Sequence, residues 1–156
     1  MGSNGFSASI FLQDETATSA WGSRIAPYLK PGDVLLLTGE IGAGKTHLAR
    51  AIIQSRLDTS EDVPSPTFTL VQTYQTDLCE IWHADLYRLS DSQEIEELGL
   101  VDAYETAIVL IEWPDRLGDV PQNALHISIG EDNDGRRLVL YSEAKCWNRL
   151  EQLFDA

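Results

Sequence analysis

A three-layer α/β domain, with a mixed, mostly parallel central sheet and antiparallel strands at its edges, is the fold class this sequence predicts. Three observations predict it. Val34-Leu35-Leu36-Leu37 and Ala107-Ile108-Val109-Leu110-Ile111 are short, continuous apolar runs, the form taken by parallel strands buried on both faces. Segments with helical apolar spacing precede and follow the first run, so strands and helices alternate. Two stretches near the C-terminal end alternate apolar and polar residues, as half-exposed antiparallel strands do.

The elements follow in order. Met1-Gly2-Ser3 has the look of an expression remnant, so residues 1–5 are left out of the fold and the rest of 1–156 is read as one domain. Ser9 to Leu12 predicts a short strand, and Thr16 to Leu29 a helix with Ala17, Trp21, Ile25 and Leu29 on one face. Pro31-Gly32-Asp33 is a turn into the first buried strand. After Lys45, the residues Leu48, Ala51, Ile52 and Leu57 recur at helical spacing. Asp58 to Pro66 is polar, carries two prolines and reads as a loop. Thr67 to Tyr74 and Leu78 to Asp85 are rich in β-branched and aromatic residues and pair across Gln75-Thr76-Asp77. Asp91-Ser92-Gln93-Glu94 resembles a capping box opening a short helix to Leu98, with a second short helix after Gly99 to about Tyr104. Pro114 stops the second buried strand after Glu112-Trp113. Asn123 to Ile129 and Arg136 to Tyr141 form a hairpin across Gly130 to Gly135, and Ala144 to Leu153 a terminal helix.

Charge limits the partners. Eleven Lys and Arg stand against 25 Asp and Glu, a formal net charge of -14. Such a surface repels phosphate backbones, so tight unaided binding to RNA or DNA is not expected. Cys79 and Cys146 stand apart from any C-x-x-C spacing, which suits a reduced protein without a disulfide. No apolar run approaches membrane-spanning length, and the cysteine usage fits a cytosolic protein.

The stretch Gly39-Glu40-Ile41-Gly42-Ala43-Gly44-Lys45-Thr46 fits G-x-x-x-x-G-K-[ST] at every fixed position. Glycines let backbone N–H groups close around a phosphate with no Cβ in the way. Lys45 brings a positive charge to the β- and γ-phosphates, and the Thr46 hydroxyl is placed to ligate Mg²⁺. The helix that follows adds its N-terminal partial charge. A tight strand-to-helix turn that happens to carry lysine is the bland alternative.

Further residues surround this loop in the predicted order. Glu112 ends a buried strand, where nucleotide hydrolases place an acid that helps to hold Mg²⁺; aspartate is the commoner choice there, and a solvent-facing carboxylate is the alternative. His83 and Asp85 share one face of their strand. Asp85 can position an attacking water, or it can be a turn residue; His83 is read as a packed histidine. Arg88 suits either transition-state charge or a surface ion pair. Ser65-Pro66-Thr67 lies where switch loops supply a hydroxyl that senses γ-phosphate and Mg²⁺, and it equally suits a strand-initiating turn.

Four motifs together, Gly39 to Thr46, Ser65-Pro66-Thr67-Phe68-Thr69-Leu70, His83-Ala84-Asp85-Leu86-Tyr87-Arg88-Leu89 and Ile111-Glu112-Trp113-Pro114, resemble the TsaE family, bacterial ATPases of tRNA threonylcarbamoyladenosine synthesis. The likeness runs in order from about Leu12 to Arg136. It implies a P-loop NTPase fold, ATP or ADP with Mg²⁺, and hydrolysis that is slow without the partner proteins TsaD and TsaB. It implies contact with tRNA only through that complex. By the resemblance, Gly42, Ala43, Gly44, Lys45, Thr46 and His47 wrap the phosphates, and Thr46 and Glu112 hold Mg²⁺. Asp85, Lys45 and Thr67 serve hydrolysis, and Gln13, Glu15 and Arg136 lie at the adenine end. His47 stands where the family commonly has a small polar residue, so its phosphate contact is expected from backbone N–H.

Competing classes are a nucleotide-gated binding module, in which ATP orders the Ser65 to Thr67 loop and turnover is incidental, and a small-molecule kinase. No Arg-rich lid supports the kinase, and no N-K-x-D motif supports a GTPase.

Overall fold

The computed structural model describes residues 5–40, 44–57, 71–87, 89, 94, 98–117 and 119–154. Among them are seven strands: β1 (Phe6–Leu12), β2 (Val34–Thr38), β3 (Val71–Gln75), β4 (Glu80–Asp85), β5 (Ile108–Glu112), β6 (Leu125–Asp132) and β7 (Gly135–Ser142). The α-helices are α1 (Glu15–Ile25), α2 (Lys45–Arg56) and α3 (Leu100–Thr106). The sheet order is β1-β7-β6-β2-β5-β4-β3. β6, β2, β5 and β4 pair in parallel at the centre, while β1, β7 and β3 add antiparallel pairings at the two edges. This is the expected fold class.

Strand alternation makes two cores. Leu35 and Leu37 of β2 face α1 and α2, with Ile108 and Leu110 of β5 and with Trp147, Leu150 and Leu153 from the chain end. Val34 and Leu36 face the other way, with Val109, Ile111 and Leu100 and Ala103 of α3. β2 and β5 are therefore apolar on both sides, as their unbroken hydrophobic runs foretold.

Several element boundaries differ from the sequence reading, each for a local reason. The first helix is α-helical only to Ile25 and continues as a 3₁₀ turn over Ala26–Tyr28, because Pro27 has no N–H to close an α-helical bond. The hairpin strands extend to Asp132 and resume at Gly135, so the turn is two residues and not six, with Asn133 taking φ 54. The terminal helix, Lys145–Leu153, is 3₁₀. Its buried residues, Trp147, Leu150 and Leu153, recur every third position, which is the 3₁₀ period. The predicted loop at 58–66, the strand start at 67–70 and most of the capping-box helix lie outside the described residues.

α1 and α2 pack unusually close. A Cβ on Gly22 would lie 2.8 Å from the Ala51 Cβ and 3.4 Å from the Leu48 Cδ1. His47 meets Ser19 and Glu15 one turn earlier along both helices. The two helices therefore run the same way and present their N-termini at one end of the sheet. That end is also where β2, β4 and β5 finish, the place where open α/β sheets bind ligands.

Candidate functional site

The glycine loop leaves β2 at Gly39, with φ 147, and enters α2 at Gly44, with φ 110. Both conformations favour glycine, and a Cβ on Gly44 would meet nothing within 4 Å, so backbone conformation rather than space selects glycine there. Residues 41–43, which include Gly42 and Ala43, lie outside the described residues, as do Ser65, Thr67 and Arg88.

Lys45 opens α2 and is buried. Its Nζ donates to the carbonyls of Gly39 at 2.6 Å and Glu40 at 3.0 Å and lies 4.4 Å from the ring centre of Trp113. Burial pushes this ammonium below its ordinary value, and the charges of Glu112 and Asp85 pull it back up. The lysine thus folds back onto Gly39 and Glu40, beside two carboxylates.

Glu112 ends β5 and is 2% exposed, so the solvent-facing alternative does not hold. In the ladder it stands level with Leu37 of β2 and Asp85 of β4. Its Oε1 and Oε2 accept from the Thr46 hydroxyl at 2.8 and 2.9 Å. On the opposite side, His83 Nε2 lies 2.7 Å from Oε2. Asp85 is nearly buried, and its Oδ1 accepts the backbone N–H of Tyr87 at 3.1 Å, so it also shapes the turn after β4. The structure thereby brings Lys45, Thr46, Asp85 and Glu112 into one group at the ends of β2, β4 and β5.

A second feature adjoins the loop. A cleft of about 270 Å³ is lined by Gln13, Glu15, Gly44, His47, Gly135 and Arg136, among others. Asp14 caps α1 by accepting from the Ala17 N–H at 2.8 Å, and this fixes the strand-to-helix junction that carries Gln13 and Glu15. The β6–β7 turn supplies the opposite wall. His47 Nε2 lies 2.7 Å from the Ser19 Oγ and 3.0 Å from the Glu15 carbonyl oxygen, which ties α2 to α1. Its ring is thus engaged within the protein. Gln13, Glu15, Gly44, His47 and Arg136, scattered over more than 120 residues of sequence, meet at one opening.

Two residues escaped the sequence reading. Trp113 follows Glu112 with φ 60 and ψ 53, left-handed values unusual for a bulky side chain. Its ring faces Lys45 and packs on Tyr87 with centroids 4.8 Å apart. Pro114 marked a strand end in the sequence, but nothing there marked the twist before it. His83 is buried as expected, yet it is joined to Glu112 and is not merely packed among apolar groups. Its place two residues before Asp85, on the same face, was the available signal.

Comparisons with known proteins identify the family. The family model of the threonylcarbamoyl adenosine biosynthesis protein TsaE matches residues 12–139. The protein named tRNA threonylcarbamoyladenosine biosynthesis protein TsaE from Rickettsia felis is 43% identical over 104 residues, 67% of this chain and 61% of that protein. The chain thus spans a little under two thirds of that relative's length. The Haemophilus influenzae protein of the same name is 32% identical over 152 residues, 93% of this chain and 96% of that one. Among solved structures, Bacillus subtilis YdiB superposes with a TM-score of 0.77 over 97% of this chain and 98% of that one, at 24% identity, a likeness of fold. With the family model covering most of its length and full-length relatives above 30% identity, this chain belongs to the TsaE family.

Proposed function

We propose that the chain is a Mg²⁺-dependent ATPase subunit of the machinery that makes threonylcarbamoyladenosine in tRNA, and that its hydrolysis resets a TsaD–TsaB complex. The observation that carries the reading is the pairing of Thr46 with Glu112, whose two carboxylate oxygens share the one hydroxyl hydrogen, directly beside Lys45 and Asp85. One hydroxyl and one carboxylate form a small, hard-oxygen donor set. It suits Mg²⁺, which keeps several waters and takes its remaining ligands from phosphate. Thr46 and Glu112 would hold that ion, which when bound would supply positive charge to offset the negative charge that develops in phosphoryl transfer.

The chain's own residues supply the rest. Backbone N–H groups of Gly44, Lys45, Thr46 and His47 cradle the phosphates, with Gly42 and Ala43 completing the loop. Lys45 exchanges the carbonyls of Gly39 and Glu40 for β- and γ-phosphate oxygens, so the loop opens as the nucleotide enters. Asp85 orients the attacking water, and Thr67 is the hydroxyl that registers the γ-phosphate. The adenine end occupies the cleft between Gln13, Glu15 and Arg136. Contact with tRNA passes through the partners, since the net charge of -14 repels it. Its site of action in this reading is the cytoplasm, as the family likeness implies; among the described residues no helix is long and apolar enough to cross a membrane.

Single-turnover ATP hydrolysis with and without TsaD and TsaB tests this. The expected result is hydrolysis stimulated by the partners and abolished by Asp85→Ala while ATP binding persists. Unimpaired complex function in that variant would show a nucleotide-gated binding module instead.

A further inference from the structure

His83 sits inside β4 with no exposed surface, too deep to touch a nucleotide. The β4–β5 register sets Asp85 level with Glu112 and His83 level with Leu110, so the imidazole lies one step behind the carboxylate and reaches it diagonally. A carboxylate accepts and does not donate. Thr46 therefore gives its O–H to Glu112, and His83 gives its Nε2–H at 2.7 Å. His83 Nδ1 is buried with no hydrogen-bond partner among the described residues.

The two donors differ in how firmly they are held. Thr46 stands in the first turn of α2, directly after the loop that must rearrange around a phosphate. His83 is fixed in the ladder between β3 and β5. We infer that His83 is a positioning residue, which orients the Glu112 carboxylate toward Thr46 and toward a divalent cation shared with it, without touching nucleotide or cation. Partners of this outer kind set ligand orientation and typically change metal affinity by about 10- to 100-fold. The inference rests on the Mg²⁺ reading given under the proposed function.

The test compares wild type, His83→Leu and His83→Gln in the full chain, by titrating Mg²⁺ against binding of a ribose-labelled fluorescent ATP. His83→Leu keeps the bulk and removes the donor; the amide N–H of His83→Gln restores one. The expected result for His83→Leu is a half-saturating Mg²⁺ concentration raised about 10- to 100-fold, with unchanged ATP affinity in EDTA and recovery in His83→Gln. An unshifted Mg²⁺ titration in His83→Leu overturns the inference. So does an equal loss with and without metal, which would mean a packing role only. A wild type that ignores Mg²⁺ overturns the ATPase reading itself, and the inference with it. Should both variants melt early, ¹⁵N-histidine spectra of the wild type decide: a protonated Nε2 and bare Nδ1, shifted by Glu112→Gln, support the inference, and any other protonation pattern overturns it.

Discussion

Gly135→Ala is the change that most directly asks whether the cleft at the β1–α1 junction serves the nucleotide. Gly135 opens β7 and lies under that junction. A Cβ there would stand 2.5 Å from the Leu12 carbonyl oxygen, 2.6 Å from the Phe11 Cζ and 3.0 Å from the Gln13 Cα. Phe11 can swing aside, being half-exposed on an edge strand. The Leu12 and Gln13 backbone cannot do so as easily, because Leu12 pairs with Arg136 in the ladder and Asp14 caps α1 two residues later. Ordinary contact requires these atoms to retreat by about 1 Å, and forced overpacking of this kind costs about 1–3 kcal/mol. For a chain this size that corresponds to a fall of about 2–12 °C in Tm. The retreat also moves Gln13 away from Arg136 across the cleft. Urea denaturation measures the first effect. For the second, competition binding compares ATP with inorganic tripolyphosphate, which fills the phosphate loop and leaves the cleft empty. ATP affinity should fall while tripolyphosphate affinity holds. Equal losses, or none for ATP in a measurably destabilised protein, would refute the placement of the adenine end.

Three further outcomes are expected. Lys45→Ala removes a charged donor and should weaken ATP binding by at least the worth of one charge-assisted hydrogen bond, about 1.5–3 kcal/mol, or about 10- to 150-fold; normal ATPase activity would refute the assignment of the loop. Gly22→Ala should destabilise the α1–α2 contact by about 1–3 kcal/mol in urea melts, because its Cβ meets the Ala51 Cβ at 2.8 Å; adding Ala51→Gly should restore most of the loss, and simple additivity of the two changes would refute the steric cause. Burial pushes the Cys79 thiol above its ordinary value of 9.0, so at pH 8 it holds less thiolate than a solvated cysteine, while Cys146 is exposed. Iodoacetamide at pH 8 should therefore modify Cys146 first, and equal rates at the two sites would contradict the burial of Cys79.

How much of this was legible in the sequence depended on the range of the interactions. β2, β5 and the start of α2 were readable because each announces itself within a few residues: an unbroken apolar run, or a glycine loop closing on Lys-Thr. Glu112 was readable as a candidate only together with the glycine loop, since its place at the end of a buried run suits a solvent-facing carboxylate equally well, and its burial came from the fold. The termination of α1 was also local, but the period masked it. Trp21, Ile25 and Leu29 keep helical spacing straight through Pro27, and the missing N–H of one residue outweighs the pattern. The terminal 3₁₀ segment hid in the same way, for a spacing of three is shared by both helix types until packing chooses one. Gln13 and Arg136 were linked only through family likeness, since nothing in their own neighbourhoods says that β1 and β7 adjoin. The pair formed by His83 and Glu112 was the hardest to see. It depends on β4 lying next to β5 in one register, and a shift of a single residue would turn the imidazole to the opposite core. A sequence can show that a histidine is buried; only strand pairing shows that the group facing it is the Glu112 carboxylate.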